Sequence, residues 1–338
     1  MGKDPYVELS RTDRESVLDD VARKMGIPPM VVEKDYWVCQ TLDALFSCED
    51  IGEHLVFKGG TSLSKVYRLI DRFSEDIDLS FHRSYLGFDA EDTEPEKAPS
   101  NKERARRLQR LQSACETKIV EVLLPTIREH FAGLLGNEGN WDLEMDKADA
   151  QTVLFRYPQA SASQDSYVPP TVKIELGARS DHWPSQQSPV TSYIGEILGQ
   201  EIGIASVEAL SAERTFWEKA TILHAECHRK KGNKMPDRYA RHYHDLARMA
   251  HSEVALNALL DHQLRNRVVE HKSIYFKSGW ANYEFAKPGS FRLVPDEYRL
   301  EALEADHQKM EMMYFSESPN LDEVLETLKE LEGKINNL

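Results

Sequence analysis

The chain has 338 residues, 41% of them hydrophobic and 29% charged, and a net charge of −15. That length can bury the core of one large domain or two modest ones, and the acidic balance argues against a protein that coats nucleic acid through bulk charge. No run approaches the roughly 18 apolar residues needed to span a bilayer, the N-terminus carries no apolar signal-peptide stretch, and four cysteines without C-x-x-C spacing predict reduced thiols in a cytoplasm.

Residues 12–25 and 29–47 predict helices, the second with a stripe of Val31, Val32, Tyr36, Val38, Leu42 and Leu45. A strand over 54–58 leads into Gly59-Gly60. A helix is predicted over about 62–71, because Leu63, Val66, Tyr67 and Ile70 fall at i, i+3, i+4 and i+7. Residues 74–81 alternate: Asp76, Asp78 and Ser80 point one way, Ile77, Leu79 and Phe81 the other. An acidic, proline-bearing loop over 88–100 precedes a long helix over 101–134.

Three further strands are predicted over 141–145, 152–157 and 171–178, with a turn-rich segment over 158–170. The last strand sets Val172, Ile174 and Leu176 against Lys173, Glu175 and Gly177. WPSQQSPV (183–190) predicts a connector, and 202–208 a short strand. Ser211 predicts the cap of a helix to about residue 230, with Glu213 in its first turn. Helices follow over 237–251, 252–270, 296–313 and 320–333. The pattern divides the chain into an α/β half, 1–185, and a mainly helical half, 186–338.

One stretch carries chemistry. Gly59-Gly60-Thr61-Ser62 at a helix start lets backbone N–H groups approach phosphates. Asp76 and Asp78, at i and i+2 on a strand, share a face and suit hard Mg²⁺. Two such ions, roughly 3.5–4 Å apart, clamp the entering and leaving oxygens of an in-line displacement. Glu175 is the favoured third carboxylate, with Glu144 and Asp142 as rivals. The set predicts metal-dependent nucleotidyl transfer from a nucleoside triphosphate. In isolation a Gly-Gly turn or an Asp-x-Asp pair is only a capped helix or a solvated strand.

The stretch VFKGGTSLSKVYRLIDRFSEDIDLSF (56–81) resembles the first motif of the AbiEii/AbiGii toxin family, nucleotidyltransferase-like proteins of abortive infection and type IV toxin–antitoxin systems. VVEKDYWVCQTLDALF (31–46), SAERTFWEKATILHAE (211–226), RYARHYHDLARM (238–249) and FRLVPDEYRLEALEADHQKMEMMYF (291–315) resemble its other conserved segments. The resemblance implies an α+β fold, a polymerase-β-like nucleotidyltransferase core with a helical C-terminal region. It places the family's essential lysine on Lys219 and its later aspartate on Asp245. It also implies a separately encoded antitoxin, and tRNA 3′ ends as the expected acceptor.

Read from the residues, Lys219 flanks an apolar helix face, where a lysine either snorkels to water or offsets phosphate charge. Lys65, at the end of the Gly-Gly-Thr-Ser helix, is a further candidate for the nucleotide. Asp245 either pairs with Arg241 one turn earlier, or orients Lys219 or Lys65 or touches the nucleotide. The basic run Arg229, Lys230, Lys231, Lys234, Arg238 and Arg241 is either a solvated face or a phosphate-contacting surface. His224 and His228 are at i, i+4 without a completed metal motif, and solvated or RNA-facing histidines are the expected reading. Tyr275, Phe276, Trp280, Tyr283 and Phe285 either stack bases or pack the helical half. The alternatives are nucleotidylation of a protein or small molecule, and a non-catalytic nucleotide-binding module acting through a partner.

Overall fold

The computed structural model describes residues 4–137, 140–161, 169–310, 313–315 and 319–338. The chain falls into two compact units, one of residues 1–66 with 73–210, the other of 67–72 with 211–338.

The first unit contains α1 (Pro5–Glu8), α2 (Arg11–Met25), α3 (Pro29–Phe46), β1 (Leu55–Lys58), α4 (Gly59–Lys65), β2 (Asp76–Phe81), α5 (Asn101–Lys118) and α6 (Leu124–Leu135). It continues with β3 (Asp142–Met145), β4 (Thr152–Arg156), β5 (Thr171–Gly177), β6 (Ser185–Thr191), α7 (Tyr193–Leu198) and β7 (Ile204–Leu210). The seven strands form one sheet in the order β3-β4-β5-β2-β1-β7-β6. It is mixed: β2 runs parallel to β5 and β1 to β7, and the remaining pairs are antiparallel.

The centre of this unit is α3, in which every residue from Met30 to Leu42 is buried. A helix covered on all sides belongs inside a core. Trp37, fully buried, stacks on Tyr157 and meets Phe131 and Phe155 edge-on. The helix predicted over 101–134 is interrupted by a π turn, Ile119–Leu123. Pro125 follows and cannot donate to the preceding turn, and the Thr126 hydroxyl instead donates to Val122 O at 2.8 Å.

The second unit is helical: α8 (Ala212–Cys227), α9 (Ala240–Ala250), α10 (Glu253–Leu260), α11 (His262–Tyr275), α12 (Leu300–Lys309) and α13 (Leu321–Asn336). Ser211 caps α8 by accepting from Arg214 N, and Asn320 caps α13. The expected α+β class, a mixed sheet flanked by helices and followed by a helical region, is observed.

Three local expectations fail. The helix predicted over 62–71 begins at Gly59 and stops at Lys65, because Arg68 takes a left-handed φ of 52°. The connector predicted over 183–190 is mostly strand β6. It is an edge strand whose polar side chains face outward, so only Ser188 and Val190 are buried. The helix predicted over 252–270 is two, broken at Asp261, whose side chain caps the next helix by accepting from Leu264 N. The turn-rich segment predicted over 158–170 lies largely outside the described residues, from 162 to 168.

Candidate active site

In the first unit the predicted residues gather around β2. Asp78 pairs in register with Lys58 of β1 on one side and with Glu175 of β5 on the other, and Asp76 pairs with Lys173. Residues paired this way share a face, so Asp76, Asp78 and Glu175 line one surface together with Lys58 and Lys173. The opposite face, with Ile77, Leu79, Ile174 and Leu176, is buried. The rivals lie elsewhere. Asp142 and Glu144 sit on β3, three strands from β2, about 14 Å away at ordinary strand spacing. Glu144 is exposed and 3.6 Å from Arg156.

Gly59 explains its own identity. Its φ is +80°, and a Cβ there would lie 2.0 Å from Asp78 Oδ2 and 2.6 Å from its Cγ. The Asp78 carboxylate therefore occupies the space that any side chain at 59 would need. Gly60, Thr61 and Ser62 follow in the first turns of α4. The Thr61 hydroxyl donates to Asp76 O at 2.5 Å, tying α4 to the start of β2. Ser62 is 1% exposed, and its hydroxyl has no hydrogen-bond partner among the described residues. Lys65 turns inward: its ammonium lies 2.7 Å from Asp35 Oδ1 and 3.9 Å from the Tyr193 ring centroid.

Residues 33–35 show why. Three consecutive charges stand in the buried helix α3; each has a partner, and those of Lys34 and Asp35 lie in the nucleotide motif. Glu33 accepts from Ala160 N and Ser161 N at 2.5 and 3.1 Å. Lys34 bonds Glu75, the residue before Asp76, at 2.5 Å. Asp35 holds Lys65 and accepts from Tyr193 N at 2.7 Å. Buried charges persist only when paired, so α3 braces both the end of α4 and the entry to β2. These residues lie outside the nucleotide motif itself. Three adjacent charges inside an otherwise apolar helix were the available signal.

Three hard carboxylate oxygen donors on one face, partly open to solvent, fit a divalent ion in kind. At present Lys173 bonds Glu175, and no cluster of three or more His, Cys, Asp or Glu side chains among the described residues is drawn close enough to hold a metal.

The second unit holds the other predicted pair. Asp245 on α9 is fully buried and Lys219 on α8 is 5% exposed; their atoms approach to 2.8 Å. The sequence does not announce the third member, Arg72, which lies 173 positions from Asp245. Its Nε and a terminal nitrogen donate to the two carboxylate oxygens, both at 2.7 Å. Burial by itself would raise the Asp245 carboxyl, but Arg72 and Lys219 outweigh it and hold the group well below the usual carboxylate range. Burial, reinforced by the charge of Arg72, pulls Lys219 below the usual lysine value, against the attraction of Asp245.

His224 is not the solvated group expected, whereas His228 is half-buried. His224 is buried; its Nδ1 accepts from Arg292 N and its Nε2 meets Asn282 O, both at 3.1 Å. His244 is also buried, 3.5 Å from Asp245 and from Asp71. Of the aromatic group, Tyr275 is buried against His271, whereas Phe276 and Phe285 are exposed and Trp280 lies under Arg229.

Residues 40–327 match the family described as nucleotidyl transferase AbiEii toxin, type IV TA system. The chain belongs to that family. It is a nucleotidyltransferase toxin, and membership implies a nucleoside triphosphate substrate and an antitoxin partner. No curated protein sequence matches it. Among solved structures, MenT4, a nucleotidyltransferase toxin from Mycobacterium tuberculosis, is 17% identical over 98% of this chain and 99% of its own, with a TM-score of 0.44. JHP933 from Helicobacter pylori is 14% identical over 91% and 94%, with a TM-score of 0.36. No helix among the described residues is long and apolar enough to cross a membrane.

Proposed function

We propose that this AbiEii toxin transfers a nucleotide from a nucleoside triphosphate to the 3′ end of an RNA, with tRNA as the expected acceptor and Mg²⁺ as the cofactor. The observation that carries the chemistry is the register that sets Asp78 beside Glu175, with its carboxylate against Gly59. Asp76, Asp78 and Glu175 would hold the divalent ion, which when bound polarises the phosphoryl group and favours ionisation of the attacking hydroxyl. Gly59, Gly60, Thr61 and Ser62 offer backbone donors for the triphosphate. Lys219 supplies positive charge toward a phosphate, and Asp245 orients it. Lys65 acts indirectly, fixing the end of α4 through Asp35.

An RNA acceptor is supported by the stretch between α8 and α9. Lys230, Lys231 and Lys234 are exposed there, with Asp237 as the one intervening acid. Two buried groups shape it: Arg299 donates to Asn233 O at 2.6 Å, and Asp306 accepts from Arg238 N and Ala240 N, both at 2.7 Å. Holding like charges together in an ordered loop is costly unless a polyanion neutralises them, and phosphate contacts position RNA without reading its sequence.

The test uses radiolabelled nucleoside triphosphates, purified tRNA and Mg²⁺, with the parent protein and Asp78→Ala. Label on the RNA 3′ end with the parent only is expected. Label on neither, or equally on both, ends this reading; label on protein instead would move the acceptor.

A further inference from the structure

Residues 76, 78, 173 and 175 make a square on the polar face of the sheet. The parallel register sets Asp76 beside Lys173 and Asp78 beside Glu175, and along each strand the two side chains stand about 7 Å apart on one face. Three corners are carboxylates and the fourth is an ammonium. Lys173 bonds Glu175, its neighbour two places along β5. Burial by itself would lower Lys173, but the bond to Glu175 and the charges of Glu175 and Asp76 outweigh it and keep the ammonium protonated.

This pairing engages one of the three carboxylates that a divalent ion needs. The backbone is already arranged, since β2 and β5 are hydrogen-bonded neighbours about 4.8 Å apart. The side chains are not: among the described residues no three acids converge closely enough to hold a metal, and the Glu175 carboxylate is held by Lys173. Both side chains of that pair are 39% exposed, and an ion pair so open to water is weak enough to exchange. A divalent ion brings twice the charge of an ammonium and accepts several oxygen ligands at once.

We propose that Lys173 is the internal competitor of the divalent ion: its ammonium holds Glu175, and the ion gains that carboxylate only by displacing it. This rests on Glu175 being an ion ligand, as proposed above. Lys173 is then a positioning residue that sets the ion concentration at which nucleotide transfer begins. Lys58 provides the comparison. It shares the face and lies beside Asp78 in the register, but it holds no carboxylate among the described residues.

The test is Mn²⁺ binding to the full chain, read from the loss of the free-ion paramagnetic resonance signal, with neither nucleotide nor RNA present. Lys173→Met should bind Mn²⁺ about fivefold more tightly, the scale of a partly exposed ion pair. Lys173→Arg, which keeps a cation beside Glu175, should bind no more tightly than the parent. Lys58→Met should change the affinity less than about twofold, because it removes a nearby charge without releasing a carboxylate. A gain in affinity is a readout that damage to the fold does not produce. In the labelling assay, the Mg²⁺ concentration giving half the maximal rate should fall by the same factor in Lys173→Met. Unchanged or weaker Mn²⁺ binding in Lys173→Met, an equal gain in Lys58→Met, or a gain in Lys173→Arg overturns the inference. A parent whose Mn²⁺ binding survives Glu175→Gln intact instead removes Glu175 from the ion site, and with it the reading on which the inference rests.

Discussion

Replacing Gly59 with alanine isolates the contact between the Gly-Gly-Thr-Ser turn and Asp78. Two costs can be separated. The first is backbone strain: at φ +80° an L-residue costs roughly 1–2 kcal/mol. The second is displacement. The new methyl would stand 2.0 Å from Asp78 Oδ2, against the roughly 3.5 Å that non-bonded atoms require, so the carboxylate must retreat by more than about 1 Å. A misplacement of that size at reacting groups costs on the order of 10²-fold in rate. Gly87 supplies the control, since its φ is +78° and nothing lies within 4 Å of its ideal Cβ. Gly87→Ala should lose stability in urea titrations through strain alone, and Gly59→Ala at least as much. In the labelling assay, Gly59→Ala should fall about a hundredfold and Gly87→Ala should match the parent. If the two variants transfer nucleotide equally well, Asp78 is not poised where the chemistry needs it.

Lys34→Met removes the buried ammonium that bonds Glu75 beside the Asp-x-Asp strand; a loss on the order of 1–3 kcal/mol is expected, and a urea midpoint equal to the parent's would refute the brace. Changing Lys230, Lys231 and Lys234 together to glutamine should raise KM for RNA and leave KM for the triphosphate unchanged. It should also flatten the salt dependence of RNA binding by roughly 0.7–0.9 log units per lost contact; an unaltered slope removes this loop from the RNA surface. Burial pushes His224 down from 6.5 to about 4, so between those values the unfolded chain binds the extra proton. The resulting stability is fully present above pH 6.5 and is lost as pH falls towards 4, by at most about 3 kcal/mol. Urea titrations at pH 7 and pH 4.5 should show a smaller difference for His224→Gln than for the parent; equal differences would refute it.

Where the sequence carried a strong local period, it was legible. The alternation of 76–81 and of 171–177 placed Asp76, Asp78 and Glu175 on polar faces, and the parallel register then made them neighbours. The sequence could not rank Glu175 above Glu144 on strand order, because pairing between distant strands leaves no local trace. Lys65 had the right spacing for a phosphate ligand, but Asp35, thirty residues earlier, decides where it points. The role of Arg72 is illegible in the sequence for the same reason: its partner Asp245 is 173 positions away. Strand β6 was hidden because an edge strand needs few apolar residues, and Pro189 is tolerated there.

The six residues Tyr67–Arg72 leave the sheet-bearing unit and return to it. The chain therefore passes between its two units three times, and no single cut separates them. A fragment ending at Leu210 would carry Arg72 without Asp245, and one beginning at Ser211 would carry Asp245 and Lys219 without Arg72. Recombination at the obvious boundary would break that buried trio in both products. The helical half thus cannot be exchanged between relatives as a free module. A replacement helical half has to arrive together with the short insert that lies between the two halves of the nucleotide motif.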